Sequence, residues 1–168
     1  MLMTFDESIN ACKNIYGWEF VTSFSIGGFE WMGFSKESLN KMIIISSQKS
    51  TILDCNNGKL ENCIIEYDEE ELIAICDKLL NEQILIAGQY GGELPETTKQ
   101  GEQVLIQETS EHIRTVTFIY NQDKKIKIFE NYGPYICGFS YDGNYFMIVD
   151  DAGIIVLKRC CSIPVYRA

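Results

Sequence analysis

A Gly-Phe-Ser tripeptide occurs twice in this chain, each time followed by two apolar runs, and this limits what the chain can fold into. The clearer copy is Gly138-Phe139-Ser140-Tyr141-Asp142-Gly143, then apolar residues over 145–149 and 154–157. The other is Gly33-Phe34-Ser35, followed by runs over 42–45 and 50–54. Each copy reads as three short strands joined by two tight turns. A Met (Met42, Met147) follows the serine by seven positions in both.

The rest of the chain varies this pattern. From Trp18, Phe20, Thr22, Phe24 and Ile26 alternate with more polar neighbours, and Gly27-Gly28 makes a turn. Strands are expected over 29–34, 42–46 and 51–54. Asn56-Asn57-Gly58 is a hairpin signal, with 63–67 as the returning strand. Further strands are expected over 83–87, 104–107, 114–119, 126–129 and 135–139. One short helix is expected at the N-terminus, and helical turns at a second place. Thr4-Phe5-Asp6-Glu7 has capping-box spacing, and Phe5, Ile9, Cys12 and Tyr16 share one face before Gly17. This helix should lie across an end or edge of the sheets and block edge pairing. Over 69–80, Asp68 and Glu71 as caps with Leu72, Ile75, Cys76 and Leu79 as a face predict one or two helical turns, a strand being the alternative. The stretch 88–102, with four glycines, one proline and two threonines, is long for a connection and is read as a binding or lid element. In the tail, 159–168, Pro164 disfavours a central strand.

The 168 residues, 46% of them apolar, suit one domain, 1–168, with a core of its own. The fold class expected is all-β: a mainly antiparallel meander of about a dozen short strands in propeller-like sheets, with a short N-terminal α-helix. A β-sandwich is the alternative. Gly-Phe-Ser-x-Asp-Gly followed by two apolar strands resembles the blade of WD-type β-propellers. The copy at Gly33 departs from that pattern, with Glu37-Ser38 where Asp-Gly would stand. At about four strands per blade the chain would make about three blades. A second resemblance is to small acidic bacterial proteins, some of them immunity partners of secreted toxins. It rests on Ile84-Leu85-Ile86-Ala87-Gly88-Gln89-Tyr90-Gly91-Gly92-Glu93-Leu94 and the later Cys137-Gly138-Phe139-Ser140. It implies a binding protein without catalytic residues.

The formal charge of −10 argues against nucleic acid or an anionic membrane as partner and favours a basic protein. Seven cysteines (Cys12, Cys55, Cys63, Cys76, Cys137, Cys160, Cys161) include no Cys-x-x-Cys. The odd number and apolar settings fit free thiols in a reducing compartment, so a cytoplasmic location is expected. The N-terminus lacks a basic region followed by a long apolar run.

No catalytic constellation stands out. His112 is the single histidine, and any Ser-His or Cys-His mechanism would have to run through it. Adjacent Cys160-Cys161 cannot easily share one tetrahedral ion, and 68–71 lacks the alternating ligands of a calcium loop. Asp150-Asp151 falls in a turn. The glycines of 88–92 lack the Lys and Ser/Thr of a phosphate loop. No metal or cofactor is expected. Tyrosines beside loops are the better signal. The expected binding residues are Gln89, Tyr90, Gly91, Gly92, Glu93, Tyr132 and Tyr135, in a non-catalytic module, immunity-type in its most concrete form, that recognises a basic protein as a monomer or weak homodimer. The alternatives are a hydrolase using paired carboxylates in an inter-sheet cleft and a structural homo-oligomer subunit.

Overall fold

The computed structural model describes residues 2–160; the expected tail around Pro164 lies outside them. Thr4 caps a helix, α1 (Phe5–Cys12), with both reciprocal hydrogen bonds of the capping box: Glu7 N donates to Thr4 Oγ1 (3.1 Å) and Thr4 N to Glu7 Oε1 (3.0 Å). The helix ends before Tyr16, which is exposed. Among the described residues fifteen strands follow: β1 (Trp18–Phe24), β2 (Phe29–Phe34), β3 (Lys41–Ser46), β4 (Ser50–Asp54), β5 (Leu60–Asn62), β6 (Ile65–Asp68), β7 (Ile73–Cys76), β8 (Leu79–Leu85), β9 (Ala87–Gly88), β10 (Gln103–Ser110), β11 (Ile113–Tyr120), β12 (Lys124–Tyr132), β13 (Ile136–Phe139), β14 (Tyr145–Asp150) and β15 (Gly153–Arg159). Among the described residues the fold is all-β with one short helix, as expected, in four antiparallel sheets and without a closed barrel. Among the described residues no helix is long and apolar enough to cross a membrane.

Sheet I has strand order β5-β4-β3-β2-β9, sheet II β6-β7-β8, sheet III β10-β11-β12, and sheet IV β1-β15-β14-β13. The first long strand thus completes the last sheet. Three cores join the sheets in the order III–IV–I–II. Along β14 and β15, Phe146, Ile148, Ile155 and Leu157 face sheet III, while Met147, Val149, Ile154 and Val156 face sheet I. Sheet I does the same: Met32, Phe34, Met42 and Ile44 face sheet IV, and Trp31, Ile43, Ile45 and Ile52 face sheet II. A sheet covered on both faces needs continuous apolar strands, which is why the two Gly-Phe-Ser copies carry unbroken runs. Sheets II and III are covered on one face; β8 alternates buried and exposed positions over much of its length, and β10 is largely exposed.

The two copies are structurally related but differ by one residue in register. Ser35 N donates to Lys41 O (3.0 Å) and Ser140 N to Tyr145 O (2.9 Å), so the first turn is a residue longer. Phe34 pairs with Met42, whereas Phe139 pairs with Phe146. Met42 therefore corresponds to Phe146, not to Met147; the shared spacing of the two methionines has no shared register behind it. The glycines do correspond. A Cβ on Gly33 would lie 2.4 Å from Leu85 O, and one on Gly138 would lie 2.5 Å from Leu94 Cβ. In each copy a neighbouring segment crosses where the side chain is missing.

Three expectations need correction. The segment 69–80 is not helical: Ile73–Cys76 and Leu79–Leu85 form a hairpin. Asp68 does cap a turn, its Oδ1 accepting from Glu70 N (2.9 Å) and Glu71 N (3.1 Å), but Leu72 at φ +57 sends the chain into β7 instead of a helix. The returning strand after Asn56-Asn57-Gly58 is Leu60–Asn62, and Ile65–Asp68 opens sheet II. Four sheets, not three, result.

The helix lies where expected. Met3 N donates to Glu130 O (2.7 Å) and Asn131 Nδ2 to Met3 O (3.0 Å), so the N-terminal segment lines β12, the edge of sheet III. Cys12, Cys55 and Cys137 are buried, and burial pushes their thiols up to about 12. They pack as small hydrophobes.

Candidate binding groove

The connection 88–102 runs from sheet I to sheet III, and its middle is fixed. Leu94 is buried in the core between sheets I and IV, and Phe139 N donates to Pro95 O (2.8 Å), so the segment lies along β13. Gly88 N donates to Gly91 O (2.8 Å) and closes a turn that presents Tyr90, 84% exposed. The expected lid is therefore an anchored strap with an exposed tip.

Two adjoining cavities, of about 430 and 440 Å³, flank this strap and share Arg114, Pro134 and Tyr135 as a common wall. Gly92, Glu93 and Glu96 line the first, together with Ile106 of β10. Gln89, Tyr90, Tyr132, Asp150 and Asp151 line the second. Of the residues expected to bind, Gln89, Tyr90, Gly92, Glu93, Tyr132 and Tyr135 meet here from two distant stretches of chain. Gly91 does not line either cavity; it closes the turn and packs near Leu72 and Trp31.

Tyr135 is the fixed point of the groove. Its ring stacks on Phe29 (centroids 5.8 Å, planes 15° apart), its N donates to Val149 O (2.9 Å), and its hydroxyl donates to Asp151 Oδ1. The bond to Asp151, then burial and the negative charges of Asp151 and Asp150, push the phenol up to about 12. Burial also raises the carboxyl of Asp150, against the opposing pull of backbone N–H groups from Ala152 (2.9 Å) and Gly153 (3.4 Å). Because the folded phenol titrates above its ordinary value, this contact stabilises the fold below pH ~10 and is lost as pH rises through about 12. Asp151→Asn removes the charge while keeping an acceptor. It should bring the Tyr135 titration down toward 10, seen as one tyrosine's change in ultraviolet absorbance that Tyr135→Phe abolishes.

Sequence reasoning missed Arg114 and took Asp150-Asp151 for a plain turn. The side chain of Arg114, on β11, makes no hydrogen bond or ion pair among the described residues, although the chain carries a formal charge of −10. No local signal marks it; only the closeness of β11 to the turn at Gly133-Pro134 places it in the wall. His112, at φ +64 in the β10–β11 turn, also lines the second cavity, with its own neighbour Glu111 as partner (3.5 Å). The thiol in the first cavity, Cys137, is buried and held up near 12.

These residues define an open, aromatic groove with carboxylates in both cavities and, among the described residues, Arg114 as the one guanidinium in the wall they share. No family model, no curated protein and no solved structure matches the chain.

Proposed function

We propose that the chain is a non-catalytic protein-binding module whose groove takes a basic segment of a partner protein. One observation carries this: Tyr90, Tyr132 and Tyr135, Glu93 and Glu96, and Asp150 and Asp151 line two adjoining cavities that share Arg114, Pro134 and Tyr135 as a wall. Exposed tyrosines supply contact area and cation–π faces, and the carboxylates supply the complementary charge. Arg114 sets the register, because the partner residue opposite it has to be acidic or neutral. An immunity-type role against a basic toxin is the most concrete form of this reading.

The test is capture of a partner at low and high salt, followed by binding measurements on variants. Tyr90→Ala with Tyr132→Ala should weaken binding by about 10- to 30-fold, the loss expected when interface anchors are truncated. Asp150→Asn with Asp151→Asn should weaken it and flatten its salt dependence. Binding indifferent to salt and to both pairs of substitutions would refute the proposal. A second reading, a hydrolase using paired carboxylates, draws on the raised carboxyl of Asp150 beside Asp151. A hydrolytic activity lost in Asp150→Asn, with the fold retained, would favour it.

A further inference from the structure

We propose that Cys63, Cys76 and Asp77 bind one thiophilic divalent cation, of which zinc is the type, with water completing a tetrahedral shell. The cysteines lie thirteen positions apart, so no ligand spacing shows in the sequence. Strand register brings them together. Cys63 sits in the link between β5 and β6, where the chain leaves sheet I for sheet II. Cys76 ends β7, and Asp77 follows it in the short turn to β8, where Cys76 pairs with Leu79. Pairing of Ile65 with Cys76 sets Ile64 beside Asp77: Asp77 N donates to Ile64 O (3.0 Å) and Ile64 N to Asp77 Oδ1 (2.9 Å). The two sulfurs and a carboxylate oxygen then lie within 4.8 Å of one another.

That arrangement is close to a bound geometry. Metal–sulfur bonds of about 2.3 Å and metal–oxygen bonds of about 2.1 Å at tetrahedral angles put two thiolates about 3.8 Å apart and a thiolate and carboxylate oxygen about 3.6 Å apart, so contraction of at most about 1.2 Å completes the set. Two soft thiolates and one carboxylate select zinc-like ions over calcium or magnesium, which require oxygen shells. Cys76 is buried, Cys63 half-buried and Asp77 exposed, which leaves the fourth position open toward solvent on the Asp77 side. The nearest cation is held aside: Lys78 Nζ donates to Asn62 O (2.9 Å) and pairs with Glu61 (3.3 Å). On binding, the ion replaces the two thiol protons, which pass to solvent. Because Cys63 N also donates to Ser50 O of β4 (3.2 Å), the ion clips the edge of sheet I to sheet II.

The test uses the reduced full-length chain, titrated anaerobically with zinc against a chromophoric chelator, and with cadmium for its thiolate charge-transfer absorption. The expected result is one ion per chain, a charge-transfer band and a rise in melting temperature with added zinc. Cys63→Ser should lower affinity by at least about 100-fold and Asp77→Asn by about 10-fold, the span over which ligand surroundings act. Cys76→Ala, which suits the buried position, should abolish the band while circular dichroism stays unchanged. Three results overturn the proposal. One is no uptake; another is uptake that survives Cys63→Ser and is lost when Cys160 and Cys161 are replaced. The third is a Cys63–Cys76 disulfide that re-forms after reduction while zinc is ignored.

Discussion

Phe118→Ala should destabilise the protein by about 3–5 kcal/mol, the usual cost of truncating a fully buried aromatic ring. Phe118 has no exposed surface and lies at the centre of the core between sheets III and IV. Trp18 meets it edge-on at 5.5 Å, Phe146 at 5.3 Å and Phe139 at 5.6 Å between centroids, with Tyr120 tilted at 6.3 Å. Its neighbours come from β1, β13 and β14, so one ring joins both ends of the chain to sheet III. A domain of this size holds on the order of 5–15 kcal/mol in total, so the substitution removes between about a fifth and all of it. Phe118→Leu keeps most of the volume and should cost under about 1.5 kcal/mol. Urea unfolding of the pair checks both. A loss below about 1 kcal/mol for Phe118→Ala would mean that sheets III and IV do not meet as described.

Arg159→Met should cost about 3 kcal/mol, because it strands a buried carboxylate. Arg159 holds Glu102 in two bonds (Nη1–Oε2 2.6 Å, Nη2–Oε1 2.8 Å), donates to Gly143 O (2.9 Å) and lies 4.7 Å above the Trp18 ring. Glu102 also accepts from Thr98 Oγ1 and from Trp18 Nε1 (3.4 Å). Glu102 is 9% exposed. The cluster locks the end of the strap onto β1 and β15. Replacing both partners, Arg159→Met with Glu102→Leu, should recover most of the loss, since the cost lies in the orphaned charge and not in the absent bond.

The same pair gives the protein an acid-sensitive component. Burial pulls the Glu102 carboxyl up, but the bonds from Arg159 and Thr98 and the guanidinium charge outweigh it, leaving it below the ordinary 4.5. Stability from a depressed carboxyl is present above the unfolded value and is lost as pH falls through the folded one. The wild type should therefore lose its advantage over Arg159→Met as pH drops below about 4.5, and their unfolding midpoints should converge.

Much of the scaffold was legible in the sequence because it is set by short-range rules. The capping box at Thr4 and Glu7, the hairpin at Asn57-Gly58 and both Gly-Phe-Ser meanders depend on local φ/ψ preferences and on strand period. The helix expected over 69–80 failed for a definable reason. Asp68 offers the same two backbone acceptor contacts to a turn as to a helix start, and the apolar run after it fits either period. What decided the matter was a neighbouring sheet: Ala74, Cys76 and Ile84 are buried against Trp31, Ile43 and Ile45.

The candidate groove divides the same way. Tyrosines beside glycine-rich turns were visible as interface material, so Tyr90, Tyr132 and Tyr135 were named from sequence, of which Tyr90 and Tyr132 are exposed and Tyr135 is half-buried. Arg114 and the pairing of Tyr135 with Asp151 were not, and neither was the meeting of Cys63 with Cys76. Local chain chemistry fixed most of the strands, though not the hairpin directly after Asp68, and which of them would be apolar on both faces. Which strands lie side by side, and so which distant side chains share a cavity, followed only from burying those faces together, because that free energy belongs to the assembled core and to no single stretch of chain.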